Sequence, residues 1–305
     1  MESSFAKFHD NHLFSRYNIH RRKERSLINY IDLHVHSTCS DGTFTPSELV
    51  ALAAEKQLAA FALTDHDSVD GLPEARLAAK ETGIELVPGI EFSTDYNGRD
   101  IHILGLDIQP EQEDFFRHLQ TFCTSRDFRN EEMAERLRRL EGIPITLEEL
   151  RSLYGDAMLT RAHFGRWLFE KGYVRSVKEA FERYIGDNCR CFVPRKRTCP
   201  EAAIQLILQA GGIPILAHPL LYHLPEAQLE SLVLNLKEAG LQGIEAMYSS
   251  NIGFDESNMR RLARKTGLKI SGGSDFHGKN KPLIDLGRGK GNLKIPYTIL
   301  EELRK

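Results

Sequence analysis

Residues 30–36 read Tyr-Ile-Asp-Leu-His-Val-His, and this stretch sets the reading of the whole chain. Its apolar run has the composition of a strand, on which side chains alternate between the two faces. His34 and His36 therefore share a face, and two imidazoles can meet one ion. Asp41 follows in a Ser-Asp-Gly turn, and Pro46 then opens a segment rich in Ala, Leu and Glu that runs to about Lys56. Proline fits the first helical position, so the unit reads as strand, loop, helix.

The same rhythm spreads outward. Strand-like runs recur at 58–64 (LAAFALT), in the short IELVPG and at 101–108 (IHILGLDI), with a helix over 72–82. It resumes with EAAIQLILQAGG, IPILAHP, a helix near 226–239, GIEAMY, a helix near 255–266 and LKISGGSDFH. Repeated strand and helix predict an α/β fold with a mainly parallel sheet, open or closed as a barrel. Between 109 and 199 the pattern changes to four segments of helical spacing, with Thr146 placed as a cap for the second. The expected organisation is an N-terminal extension over 1–29, a barrel body over 30–108 and 200–305, and a helical insertion over 109–199. The basic run Arg21, Arg22, Lys23 and Arg25 in the extension reads as a solvated tail.

With 305 residues and 41% hydrophobic content the chain is long enough to bury one sizeable core. It carries 40 Lys and Arg against 43 Asp and Glu, a net charge of -3, so there is no overall basic field to hold long duplex nucleic acid. No stretch approaches the roughly 18 apolar residues of a membrane span, and the first thirty lack a signal peptide's apolar core. The expectation is a cytoplasmic protein with no membrane partner. Cys39, Cys123, Cys189, Cys191 and Cys199 form no zinc-type pair of knuckles and read as reduced thiols.

Four clusters of metal-ligand residue types fall at the ends of the strand-like runs. They are Asp32 to His36 with Asp41; Asp65-His66-Asp67; Glu91 with His102; and His218 with Asp275 and His277. A single histidine is usually a surface or satisfied core residue. Six at strand ends (His34, His36, His66, His102, His218 and His277), accompanied by Asp41, Glu91 and Asp275, are a different matter. In α/β folds ligands gather at the carboxyl ends of the strands, so these groups can converge on one mouth. Nine imidazole and carboxylate donors exceed what one ion needs, and their mixed chemistry suits Mn, Fe or Zn. Divalent ions roughly 3.5 to 4 Å apart clamp the oxygens of a phosphoryl group, which makes phosphoester hydrolysis the natural chemistry.

The motifs IDLHVHSTCSDG, LTDHD, PGIEFS, HILGLD, AHP and GGSDFH together resemble those of the PHP (polymerase and histidinol phosphatase) superfamily over about residues 30–290. TRAHFGRWLFEKGYV and CFVPRK resemble its TrpH-type nucleotide phosphatase branch. The resemblance implies a distorted (β/α)7 barrel holding three metals. His34, His36, Glu91 and Asp275 would hold one ion, with Asp41, His66 and His277 around a second. Glu91 would bridge to a third ion held with His102 and His218. Glu91, Asp275 and His277 are the catalytic candidates, and Asp32 and Asp65 either orient imidazoles or serve as structural strand-end residues.

The branch acts on nucleoside monophosphates, 3′,5′-bisphosphates or the 5′ ends of short RNA, so the expected partner is a nucleotide or short oligonucleotide. Arg161, His163 and Arg195 are the substrate-binding candidates, Arg161 first because it opens a helix whose free N–H groups also favour an anion. The proton donor to the leaving group is left among His223, His163 and water. The branch usually follows AHP with Gly-Arg-Tyr, whereas here Leu220, Leu221 and Tyr222 follow, so this loop lacks a cation. Two other readings compete: a histidinol-phosphate phosphatase, which shares the metal motifs, and a non-catalytic, metal-stabilised binding domain.

Overall fold

A computed structural model describes residues 29–111, 113–187, 189–194 and 198–305. The expected extension, apart from Asn29, and Arg195 lie outside the described residues. Eight strands form one sheet: β1 (Tyr30–Val35), β2 (Ala60–Leu63), β3 (Glu85–Tyr96), β4 (Arg99–Leu106), β5 (Ile213–Leu216), β6 (Gly243–Tyr248), β7 (Lys269–Gly273) and β8 (Ile295–Pro296). Their spatial order is β7-β6-β5-β4-β3-β2-β1-β8. The chain just past β7 returns to β1: Asp275 N–H donates to His34 O at 2.9 Å and His36 N–H to Phe276 O at 3.0 Å. This contact closes seven strands into a distorted barrel, with β8 antiparallel to the other end of β1.

The distortion has a local cause. β1, β2 and β3 are parallel, as are β5, β6 and β7, but β4 is antiparallel to both of its neighbours. No helix separates β3 from β4. They form a hairpin through Asn97-Gly98, whose φ values of 55° and 80° are the left-handed pair that a type I′ turn requires. The hairpin lengthens the expected IELVPG strand to 12 residues.

Alternation along the strands separates two cores. Ile31, Leu33, Ala60, Ala62, Val87, Leu104 and Ile215 pack together inside the barrel, closed off by Leu300 and Leu303 of the final helix. The opposite faces, with Phe61, Leu63, Ile103 and Ile244, pack under the outer helices. These include α1 (Pro46–Glu55), started by a Thr45–Glu48 capping box, and α2 (Leu72–Thr82), ended by Gly83 at φ 73°. Between β4 and β5 lie α3 (Glu113–Glu141), α4 (Leu147–Tyr154), α5 (Arg161–Glu170) and α6 (Val177–Ala180), the last continuing as a π-helical turn to Ile185. Thr146 caps α4 by accepting from Glu149 N–H. These helices have a core of their own around Leu137, Leu150, Phe164, Trp167 and Ile185. No helix among the described residues is long and apolar enough to cross a membrane.

Barrel closure needs glycine at 273. A Cβ there would stand 2.2 Å from His34 Cβ and 2.7 Å from His34 N. Gly273→Ala is expected to destabilise the fold by about 1–3 kcal/mol or more, the cost of overpacking a site that cannot relax. Urea denaturation measures it, and an unchanged midpoint would contradict this close approach of β7 to β1.

Candidate metal centre

The strand ends converge on Glu91. Its carboxylate has five imidazoles around it: His34 Nε2 at 3.3 Å, His36 Nε2 at 3.2 Å and His66 Nδ1 at 3.1 Å from Oε2, with His102 Nδ1 at 2.8 Å and His218 Nε2 at 3.0 Å from Oε1. Asp275 Oδ1 adds to the first group, 3.6 Å from His34 Nε2 and 3.4 Å from His36 Nε2. Asp41 faces His277 at 3.1 Å and His66 at 3.8 Å. All nine residues expected from the sequence are thus gathered in one place. Among the described residues the compact groupings are His36, Asp41, His66 and His277; His34, His36 and Asp275; His34, Glu91 and His218; and His66, Glu91 and His102. His102 groups with His66 and His218 with His34, Glu91 being common to both.

The donor geometry fits divalent ions. His34 Nε2 and His36 Nε2 stand 3.1 Å apart, with Glu91 Oε2 at 3.3 and 3.2 Å from them and Asp275 Oδ1 at 3.6 and 3.4 Å. Ligand atoms about 2.1 Å from a shared ion stand roughly 3.0 to 3.4 Å from one another. Asp41 Oδ1, His66 Nδ1 and His218 Nδ1 are buried without a hydrogen-bond partner, although Asp41 Oδ1 lies 3.1 Å from His277 Nε2 and His66 Nδ1 lies 3.1 Å from Glu91 Oε2. For Asp41 Oδ1 and His66 Nδ1, close approach outside hydrogen-bond geometry is the arrangement expected of atoms that aim at an ion rather than at each other. Burial alone would push the Glu91, Asp41 and Asp275 carboxyls up, yet the neighbouring imidazoles, and Lys281 beside Asp275, hold all three well below the usual range.

Backbone irregularities aim these side chains. The pairing of β1 with β2 shifts between Asp32 and Val35. Below the shift Leu33 points into the barrel; above it His34 and His36 reach the site while Val35 joins the outer core. Asp67, His218 and Asp275 adopt φ values of 48°, 27° and 56°, conformations that cost about 1–3 kcal/mol each away from glycine and collect at functional sites.

Asp32 accepts hydrogen bonds from the N–H groups of His34, Ser274 and Gly287, and Asp65 from Ser37 N–H and the Ser37 and Ser40 hydroxyls. Both brace the loops that carry ligands. Glu245, which sequence reasoning passed over, does orient an imidazole: Oε1 lies 3.1 Å from His34 Nδ1 and Oε2 accepts from His218 N–H. Its signal was a charge in the middle of the buried strand GIEAMY.

A cavity of about 180 Å³ opens onto this centre, lined by Asp41, His66 and His102 together with Arg126, Arg129 and Arg161. Arg126 and Arg129 come from α3 and are buried, a feature the charged run did not reveal. Arg126 pairs with Asp67 and donates to Ser93 Oγ. Arg161 lines the cavity as expected, stacked near Phe181 and Phe192 and paired with Asp100 and Asp187. His163 departs from its expected role. It is absent from the cavity wall; its Nδ1 accepts from Thr160 N–H at 2.9 Å and its ring also bonds the Ser40 backbone. It braces the α5 N-terminus against the Asp41 loop. Tyr222 is buried beside His102, accepting from His102 N–H and donating to Ala217 O.

An α/β barrel that gathers imidazoles and carboxylates at its strand ends, under buried arginines, is a metal-binding hydrolase of phosphoesters. Comparison with known proteins agrees. The PHP domain profile matches residues 32–196, and the chain belongs to this family. It is 38% identical over 262 residues to a 5′-3′ exoribonuclease of Haemophilus influenzae, covering 83% of this chain and 95% of the relative. It is 34% identical to a 3′,5′-nucleoside bisphosphate phosphatase of Chromobacterium violaceum, covering 90% and 96%. The solved structure of a C. violaceum amidohydrolase with bound sulfate superimposes with a TM-score of 0.81 at 33% identity, covering 90% of this chain and 96% of that one.

Metal uptake should release protons. In the metal-free protein burial disfavours charge on His36 and His102, but the adjoining carboxylates prevail and push them up to about 9 and about 10. Ligation requires neutral imidazole. At pH 8 both rings are protonated before binding and neutral after it, so Mn²⁺ affinity should rise with pH towards 9 to 10. Titration calorimetry in two buffers of different ionisation enthalpy counts the protons, and none released at pH 8 would remove His36 and His102 from the ligand set.

Proposed function

We propose that the protein hydrolyses phosphate monoesters of nucleotides, such as AMP or a 3′,5′-nucleoside bisphosphate, or releases nucleotides from the 5′ ends of short RNA. The observation that carries this reading is the shared cavity, in which metal-type donors face Arg126, Arg129 and Arg161. Planar guanidinium groups bind phosphate oxygens in pairs, and buried ones do so with little screening. The activities named for the Haemophilus and Chromobacterium relatives are of this kind. Histidinol phosphate fits less well, since its ammonium and imidazole would enter a cavity already lined with cations.

In this reading His34, His36, Glu91 and Asp275 would hold one ion, Asp41, His66 and His277 a second, and Glu91 with His102 and His218, which both stand beside its Oε1, a third, the metals being Mn, Fe or Zn. Residues 109–199 form an inserted lobe that roofs the barrel of 30–108 and 200–305. Bound divalent ions supply Lewis-acid polarisation of the phosphoryl group and a water acidic enough to attack near neutral pH. Glu91, Asp275 and His277 are the catalytic ligands. Arg161 and its neighbours offset charge on the equatorial oxygens. Phe181, also in the cavity wall, offers apolar surface for the base or ribose. His163 is no proton donor at neutral pH, because burial lowers it to about 4.

Two measurements test this. The Mn²⁺-loaded protein should release phosphate or nucleotide from AMP, 3′,5′-bisphosphoadenosine or a short 5′-phosphorylated RNA faster than from histidinol phosphate or p-nitrophenyl phosphate, and a chelator should stop it. A preference for histidinol phosphate would favour the rival enzyme. Glu91→Gln should lower kcat/KM by more than about a hundredfold, beyond the usual loss for an outer-shell partner; near-normal turnover by the metal-replete variant would refute its bridging role.

A further inference from the structure

The second oxygen of Asp275 is held by two groups that the motifs do not name. Its Oδ2 accepts from Tyr248 Oη at 2.7 Å and from Lys281 Nζ at 2.5 Å, while Oδ1 faces His34 and His36. A free carboxylate can offer an ion either oxygen or both, and what binds the second oxygen decides which. We propose that Tyr248 and Lys281 are positioning residues that hold Asp275 as a one-oxygen metal ligand. This rests on the reading of Asp275 as a ligand given above.

The backbone is arranged to deliver both. Tyr248 lies three residues beyond Glu245 on β6, and strict alternation would send the two to opposite faces. The pairing of β6 with β7 shifts between Glu245 and Met247, so Glu245 reaches His34 while Tyr248 reaches Asp275. Extra residues of this kind re-aim side chains beside active sites.

Lys281 ends the turn Gly278–Asn280, which is pinned to the Asp41 loop on the other side of the site. Lys279 N–H donates to Thr43 Oγ1 at 2.9 Å, and Asn280 Nδ2 donates to Asp41 O at 2.7 Å. Gly278, at φ 60°, lies so close that a Cβ would stand 2.2 Å from Thr43 Oγ1. One turn therefore ties the Asp275 grouping to the Asp41 grouping. Asp275 is fixed from its backbone as well, through its N–H bond to His34 O at 2.9 Å. Lys281 is 39% exposed and Tyr248 uncharged, so orientation rather than net charge is the shared effect of the pair.

The test measures Mn²⁺ binding by calorimetry, and the Mn²⁺ electron paramagnetic resonance spectrum, in the full chain carrying Tyr248→Phe, Lys281→Met or Lys281→Arg. Outer partners of metal ligands typically contribute about 10- to 100-fold in affinity. Tyr248→Phe and Lys281→Met should each weaken Mn²⁺ binding by roughly tenfold or more and alter the spectrum, with KM for substrate little changed. Lys281→Arg should restore part of the loss. Unchanged Mn²⁺ affinity in both variants would overturn the proposal, as would a Lys281→Met effect confined to KM, which would place Lys281 on the substrate. Lower thermal stability of the metal-free variants with unchanged Mn²⁺ affinity would reduce both residues to a structural role. Failure of the unsubstituted protein to bind Mn²⁺ would instead sink the metal-ligand reading itself.

Discussion

A buried carboxylate surrounded by imidazoles is the constraint on which this structure depends. Glu91 is 1% exposed, and five histidine nitrogens lie within 3.3 Å of it. Without a compensating positive charge, so many donors in low dielectric are costly. Protons supply that charge when metal is absent, which is why burial fails to keep His36 and His102 neutral. Divalent ions would replace the protons with more concentrated charge. The barrel is the means of bringing imidazoles carried by β1, β2, β4 and β5 to one carboxylate on β3.

The inserted helices are joined to this centre rather than simply placed above it. Thr160 Oγ1, at the start of α5, donates to Asp41 Oδ2 at 3.0 Å, and Met158 N–H bonds Cys39 O at 2.9 Å. Arg166 reaches Asn280, which in turn holds the Asp41 carbonyl. From α3, Arg126 pairs with Asp67, the neighbour of His66. The helices that bring Arg126, Arg129 and Arg161 to the cavity thus also bond the loops that carry Asp41 and His66.

Much was legible in the chain. The strand-helix rhythm predicted an α/β fold with a mainly parallel sheet because apolar alternation is a local consequence of strand geometry, while closure into a barrel came from the family resemblance, and the nine donors stood out because most lie on or just after apolar runs. Thr146 was readable as a cap. The antiparallel β4 was within reach too, since Asn97-Gly98 is a strong hairpin signal, but the expectation of alternating strands and helices obscured it. The brace formed by His163 was hidden, because a helix-start histidine looks the same whether it faces a ligand or the Thr160 backbone.

The sequence by itself determined the class of fold, the identity of the donors and the chemistry they favour, because these follow from residue type and short-range spacing. Only the tertiary structure decided which donors share a grouping, that Glu245 contacts His34 and His218 while Tyr248 and Lys281 contact Asp275, and that Arg126 and Arg129 line the cavity at the centre. Those outcomes depend on shifts of a single residue in β1 and β6 and on the docking of α3, contacts between segments far apart in the chain. Local pattern carries no information about them, since a one-residue shift exchanges the faces of a strand without changing its composition.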